Sequence, residues 1–91
     1  MYKTIYTLFK DEAVEFEPFQ QAVMSFSTKE EAIEHLQSMI EEIKDFWKRL
    51  GMFEEMVIDD SVPYYFDIYE DFSKPCNHTT LLILENTLKQ Y

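Results

Sequence analysis

The sequence predicts an α+β fold: an antiparallel sheet of four to five strands, in β-β-α-β-β-β order, with one long amphipathic helix packed on one face. Three observations predict it: a helical stripe of apolar residues between positions 28 and 50, strand-like segments before it, and further strand-like segments after it. An amphipathic helix needs an apolar surface to cover it, and one face of an antiparallel sheet supplies that surface. The 91 residues are expected to form a single domain, 1–91.

Two strands are expected before the helix. Tyr2–Phe9 is rich in β-branched and aromatic side chains, which favour strands. Lys10–Ala13 is interpreted as a polar break. Val14–Phe26 is interpreted as a second strand, interrupted or bulged near Pro18 because proline cannot donate a ladder hydrogen bond. Strands this close together are expected to pair as an antiparallel hairpin.

The helix has sequence signals at both ends. Ser27 with Glu30, or Thr28 with Glu31, fits a capping box. Gly51 is the only glycine in the chain and follows the last apolar position, where a left-handed residue commonly ends a helix. The stripe itself consists of residues three and four apart, namely Ile33, Leu36, Ile40, Ile43, Trp47 and Leu50.

We expect the helix to be longer than the sheet beneath it. A helix from 28 to 50 spans about 34 Å, whereas a strand of five or six residues spans only about 20 Å. The overhanging turns would need a second cover, either the chain's own C-terminal segment or another copy of the protein. The residues predicted for a homodimer interface are therefore Phe46, Trp47 and Leu50.

Three further strands are expected after the helix. Met52–Ile58 and Tyr64–Tyr69 are separated by a turn at Asp59–Pro63. Thr79–Asn86 is apolar on both faces, and its periodicity does not distinguish a strand from the start of a C-terminal helix. Its two threonines favour a strand. The tail, residues 87–91, is expected to be helical or frayed.

The composition describes a strongly acidic chain. Eighteen acids against eight bases give a formal net charge of −10. This charge disfavours direct binding to nucleic acid or to an anionic membrane, and it permits a basic protein partner. Acidity that merely keeps the protein soluble is the alternative. A single cysteine and the lack of a signal-like or membrane-spanning segment predict a soluble, cytoplasmic protein.

No catalytic, cofactor or metal site is predicted. Cys76 and His78 could bring two ligands together, but a zinc site usually needs four. His35 lies beside the apolar stripe and is expected to be solvated. A phosphate loop needs several glycines, and this chain has Gly51 alone. We therefore expect a protein that is not an enzyme.

One segment has the character of a binding surface. If Tyr64–Tyr69 is a strand, Tyr64, Phe66 and Ile68 face the core and the alternate residues form an acidic-aromatic face. Tyrosine offers large, rigid contact area, and carboxylates between tyrosines would meet Lys or Arg on a partner. Ordinary cross-strand tyrosine pairs are the alternative. The predicted partner-binding residues are Asp59, Asp60, Tyr65, Asp67, Tyr69 and Asp71.

These features predict a small non-enzymatic binding module or inhibitor that engages a basic, nucleic-acid-handling protein through its acidic-aromatic surface. Small inhibitors encoded by phages and mobile elements share this size, acidity and lack of a catalytic set, and so do immunity proteins that neutralise basic nucleases. A toxin-immunity protein is therefore one alternative, and a structural homodimer without an inhibitory role is another.

Overall fold

The computed structural model describes residues 2–15, 17–70 and 77–89. The elements are β1 (Tyr2–Val14), β2 (Glu17–Phe26), α1 (Lys29–Arg49), a 3-10 turn (Phe53–Glu55), β3 (Met56–Asp59), β4 (Tyr65–Glu70) and β5 (His78–Lys89). All strand pairs are antiparallel, in the order β2-β1-β5-β4-β3, and α1 packs on one face of the sheet. The predicted α+β class and element order are confirmed. No helix in these three ranges has the length and apolar character of a membrane span.

Both ends of α1 form as their sequence signals predict. The Thr28 hydroxyl accepts a hydrogen bond from Glu31 N at 3.2 Å and donates one to Glu31 Oε1 at 3.0 Å, so Thr28 is the N-cap. At the other end, Gly51 adopts φ +75°. Gly51 N donates to Lys48 O at 3.0 Å and Met52 N donates to Trp47 O at 3.1 Å. These two bonds define a Schellman motif, in which the left-handed glycine ends the helix.

The core lies between α1 and the helix-facing side of the sheet. Buried residues from the helix, Ala32, Leu36, Ile43 and Trp47, pack against buried residues from β1, β4 and β5, namely Leu8, Phe66, Ile68, Leu81 and Ile83. A chain of two hydrogen bonds crosses this core. Trp47 Nε1 donates to Thr79 Oγ1 at 2.9 Å, and the Thr79 hydroxyl donates to Glu12 Oε2 at 2.8 Å. Thr79 therefore satisfies the one polar atom of a fully buried tryptophan.

The first hairpin differs from its prediction. Lys10–Ala13 does not break the strand: β1 runs through it because β2 and β5 pair with its backbone on both sides. Lys10 and Glu12 lie on the helix-facing side and form an ion pair at 3.7 Å. The irregularity expected near Pro18 lies instead between Leu8 and Phe9, where the register with β2 shifts. Pro18 is tolerated because β2 is an edge strand.

Two later elements also differ. Met52–Glu55 is not strand; it contains the 3-10 turn, and β3 is only the four residues Met56–Asp59. β5 is a strand of 12 residues that continues through Lys89, which resolves the choice between strand and helix for positions 79–89. Tyr64 precedes β4 and is 41% exposed, so it does not join the core; the Lys29 ammonium lies 4.9 Å from its ring centroid.

The prediction that the helix extends beyond the sheet is wrong. β1 has 13 residues and β5 has 12, so these strands span about 40 Å, compared with about 32 Å for the 21 residues of α1. The sheet extends beyond the helix, and the molecule measures 49 × 22 × 20 Å. Trp47 has no exposed surface because its own sheet covers it. Of the predicted dimer residues, only Phe46, half-buried, and Leu50, 47% exposed, offer surface to a partner.

Candidate functional site

The candidate site lies on the side of the sheet that faces away from α1. In β4, Phe66 and Ile68 are fully buried under the helix, whereas Tyr65, Asp67 and Tyr69 are half-buried and point to the other side. The two faces of this strand are therefore divided as the alternation predicts. We call the side away from α1 the open face; no second layer packs on it from residues 2–15, 17–70 or 77–89.

Strand register places three carboxylates in one row across the open face. Asp59 of β3 is the register partner of Asp67 of β4, and Asp67 is the partner of Thr80 of β5. Thr80 is in turn the partner of Asp11 of β1. Asp59, Asp67 and Asp11, with Thr80 between the last two, form what we call the aspartate row. Neighbouring strands are about 4.8 Å apart, so the row crosses four strands within about 15 Å.

Asp11 is the member of this row that the sequence analysis missed. It falls within Lys10–Ala13, which was interpreted as a polar break rather than as part of a strand. The signal that could have found it is the alternation of Thr7, Phe9 and Asp11, which continues the period of two from the preceding residues. Once β1 is extended through Val14, that alternation places Asp11 on the open face.

Aromatic and apolar side chains border the aspartate row on both sides. On one side, Phe9, Leu82 and Tyr65 are register partners across β1, β5 and β4. On the other side, His78 of β5 is the partner of Tyr69 of β4. Phe9 is 37% exposed. The open face thus combines a line of negative charge with flanking rings that a partner can contact.

Hydrogen bonds fix the carboxylate at the middle of the row. Asp67 Oδ1 accepts from the Thr80 hydroxyl at 2.8 Å, and Asp67 Oδ2 accepts from the Tyr65 hydroxyl at 3.2 Å. Thr80 Oγ1 also lies 3.4 Å from His78 Nδ1. Because the single Thr80 hydroxyl proton goes to Asp67, a hydrogen bond between Thr80 and His78 requires the proton on Nδ1. Asp67 is therefore held in one orientation before any partner arrives.

The negative charge of the aspartate row affects the pKa of Tyr65. Burial, and then the negative charge of Asp67 and the hydrogen bond to it, raise the pKa of the Tyr65 hydroxyl above its ordinary value of 10.0; Asp59 and Tyr69 act in the same direction. Removing the phenol proton would place a third negative charge beside two carboxylates. Tyr65 therefore remains a neutral hydrogen-bond donor at physiological pH.

The remaining predicted residues lie at or beyond the end of the row. Asp59 is exposed, and its Oδ1 accepts from Ser61 N at 3.3 Å and from Ser61 Oγ at 2.9 Å, which fixes the turn after β3. Asp60 is exposed in that turn. Asp71 lies outside the described residues. The structure therefore brings together Asp59, Tyr65, Asp67 and Tyr69, and places Asp60 beside them.

The arrangement has the chemistry of a binding surface. Within the described residues, no group of three or more His, Cys, Asp or Glu side chains is arranged to hold a metal ion. Cys76, one of the two ligands considered for a metal, lies outside those residues. His35 packs on Phe26 with their ring centroids 5.4 Å apart. Carboxylates held beside neutral hydroxyls and rings can bind cations of a partner protein.

Comparisons with models of protein families, with curated proteins and with solved structures gave no match. The functional interpretation therefore depends on the geometry, burial and charge of the open face.

Proposed function

We propose that this chain is a non-enzymatic binding module that uses its open face to occupy a basic site on a nucleic-acid-handling protein, where it competes with phosphate. The aspartate row is the single observation that carries the proposal. Asp11 belongs to β1, far in sequence from Asp59 and Asp67 of the consecutive strands β3 and β4, and the strand register aligns all three on the side of the sheet away from the helix. Cationic side chains on a partner would satisfy all three at once.

The balance of charge on this face supports a cationic partner. Like charges placed directly opposite each other on neighbouring strands destabilise a sheet, and Asp59 faces Asp67 in this way. Among the described residues, the only cationic side chain on the open face is Lys3. Lys3 lies eight positions from Asp11 along β1, about 26 Å away. A Lys or Arg from a partner would therefore relieve a repulsion that no side chain in the described ranges neutralises.

The rings that border the row supply the apolar part of the contact. Tyr65 and Tyr69 keep their rings at the surface of the sheet with few rotatable bonds, so little conformational entropy is lost when they are covered. Phe9 and Leu82 extend the same contact area across β1 and β5. Rim charges mainly accelerate association, whereas buried aromatic contacts slow dissociation. The open face has both kinds of group side by side.

The experiment compares two variants that carry the same net charge. The row variant replaces the three carboxylates of the row with amides: Asp11→Asn, Asp59→Asn and Asp67→Asn. The helix variant makes the same change in charge at exposed positions of α1: Glu34→Gln, Glu42→Gln and Asp45→Asn. Each chain is immobilised and exposed to cell lysate at low and high salt, and the retained proteins are identified by mass spectrometry.

The proposal predicts that the native chain and the helix variant retain the same basic proteins at low salt. High salt should release those proteins, because ion pairs at an interface are screened. The row variant should lose them. Equal retention of basic proteins by all three chains would mean that binding depends on the overall negative charge and not on the aspartate row. A native chain that enriches no basic protein at low salt would overturn the proposal.

A further inference from the structure

The edges of the sheet are not equally protected against pairing with another strand. β2 carries Pro18 and the register shift opposite Leu8 and Phe9, and β3 is only four residues long and ends at the charged residue Asp59. Proline, bulges, short length and charge are the usual ways in which edge strands avoid such pairing. The far half of β5 is a third edge, and it has no proline or register shift.

This third edge begins where β4 ends. β4 pairs with β5 as far as Leu82, and Ile83 N donates to Tyr64 O at 3.1 Å. From Leu84 to Lys89, β5 pairs with β1 alone among the strands that the structure describes. This part of β5 and residues 2–7 of β1 project beyond β4, and we call them the ribbon.

The hydrogen-bonding groups of that edge follow from the antiparallel pattern. Since Ile83 directs its N–H towards the β4 side, Glu85 and Thr87 direct theirs to the same side, while Asn86 faces β1. The side chains of Leu84 and Leu88 lie on the open face and are 48% and 45% exposed. Between Leu84 and Leu88, the edge therefore presents two outward backbone positions and two exposed leucines.

We propose that residues 84–88 of this edge pair antiparallel with the same residues of a second copy, about a two-fold axis at Asn86, and that the chain turns away at Lys89 because Tyr64 occupies the edge opposite Ile83. In that register, Glu85 faces Thr87 of the other copy, so residues with outward N–H and C=O groups meet and exchange hydrogen bonds. Leu84 then faces Leu88 of the other copy, so two leucine pairs form on the open face, one on each side of the Asn86 pair. The result is a continuous sheet of ten strands whose two open faces lie on the same side.

The charge of the ribbon favours a second copy over a foreign strand. The chain as a whole carries −10, and two such molecules repel each other. The ribbon's own charged side chains are Lys3, Glu85 and Lys89, so the ribbon carries no net negative charge. The aspartate row lies towards the opposite end of β1. Two copies that meet at their ribbons therefore keep their acidic regions apart.

The test is the oligomeric state of the chain and of two proline variants, measured by sedimentation equilibrium up to about 100 μM, because the dimer fraction depends on protomer concentration. Thr87→Pro removes an outward N–H of the β5 edge. Thr4→Pro is the matched control, since Thr4 is the register partner of Thr87 and directs its N–H to the opposite edge of the ribbon. The expected masses are a dimer of 11.0 kDa chains for the native protein and Thr4→Pro, and a monomer for Thr87→Pro.

A second pair of variants decides the question if Thr87→Pro does not fold by circular dichroism. Leu84→Lys with Leu88→Lys places two ammonium groups directly opposite each other in each of the two pairs of the proposed dimer, while each substituted position is already exposed in the monomer. Phe19→Lys with Met24→Lys makes the same change on the β2 edge, where the two residues are 55% and 50% exposed. We expect the first pair to raise the dimer Kd at least tenfold and the second to leave it unchanged.

A native chain that is monomeric at the highest concentration would overturn the proposal. Dimers that persist in both β5-edge variants would overturn it too, because another surface would then hold the copies together. The row variant should dimerise as the native chain does, so failure of this proposal is distinguishable from failure of the proposed function.

Discussion

Asp59 and Asp67 are register partners on neighbouring strands, so two carboxylates of an acidic chain lie directly opposite each other on the open face. The two are not equivalent. Asp67 accepts hydrogen bonds from Tyr65 and Thr80, whereas Asp59 is exposed and its carboxylate caps the turn at Ser61. The folded chain therefore contains an electrostatic repulsion at the point where we place the partner's cations.

This repulsion makes a prediction about stability. Asp59→Asn keeps the oxygen that accepts from Ser61 and removes the charge opposite Asp67, so we expect the free energy of unfolding to rise by a few tenths of a kcal/mol. Asp60→Asn is the control because Asp60 has no register partner in β4. Urea unfolding followed by the fluorescence of Trp47, the only tryptophan, measures both variants. A loss of stability in Asp59→Asn would contradict the repulsion.

Thr79 is predicted to contribute more to the stability of the fold than its small side chain indicates. Thr79→Val keeps the shape of the side chain but removes the acceptor for the Trp47 indole N–H and the donor to Glu12. A fully buried donor without a partner costs roughly 1–3 kcal/mol, so the urea midpoint should fall. Thr87→Val, at an exposed position of the same strand, should change the midpoint little. Equal effects of the two substitutions would show that the buried hydrogen bond contributes nothing.

The end of the helix gives a separate prediction about backbone conformation. Gly51 has φ +75°, and a Cβ added there would meet no atom within 4 Å. Gly51→Ala should therefore lose about 1 kcal/mol of stability from backbone strain alone, without a steric clash. Gly51→Asn should lose less because asparagine tolerates the left-handed region. Thermal unfolding of the two variants checks the order, and a larger loss for Asn than for Ala would contradict this account.

The raised pKa of Tyr65 predicts that the stability of the fold depends on pH in the alkaline range. Its pKa is raised in the folded protein, first by burial and then by Asp67, so above pH 10.0 the folded state binds more protons at this site than the unfolded state. Its contribution to stability is fully present below that pH and is lost as the pH rises through the folded pKa. In Tyr65→Phe that loss should be absent, so the native chain should lose more stability than the variant between pH 9 and about pH 11.

The control for this measurement is Tyr64→Phe, because Tyr64 is exposed and lies outside the hydrogen bonds to Asp67. Urea midpoints measured across the alkaline range give the three curves. Parallel loss of stability in the native chain and in Tyr65→Phe would show that the folded protein does not hold the Tyr65 proton more tightly.

The sequence predicted those parts of the fold that local signals determine. Thr28 and Gly51 specify the helix ends through their own backbone and side-chain bonds, and the alternation in β4 separates Phe66 from Tyr65 and Asp67. The extent of β1 was missed because pairing with β2 and β5 on both sides stabilises it, and such pairing is non-local. Asp11 could not be placed in the site until that pairing was known.

The predicted overhang failed for the same physical reason. Typical strands are five or six residues long, and nothing local in the sequence shows that β1 and β5 support each other over twelve register pairs. With that support the sheet extends past α1, and Trp47 is covered by its own chain. The surface open to a second copy is thereby expected at the ribbon of β1 and β5 rather than at the end of the helix.

The most direct test of the central claim is competition with phosphate at a partner's basic site. A basic protein retained by the native chain is bound to fluorescently labelled duplex DNA, and release of the DNA is measured by anisotropy as each chain is added. The account predicts that the native chain and the helix variant release the DNA at the same concentration, and that the row variant needs at least tenfold more. Release by the row variant at the native concentration, or a complex in which chain and DNA are bound together, would contradict it.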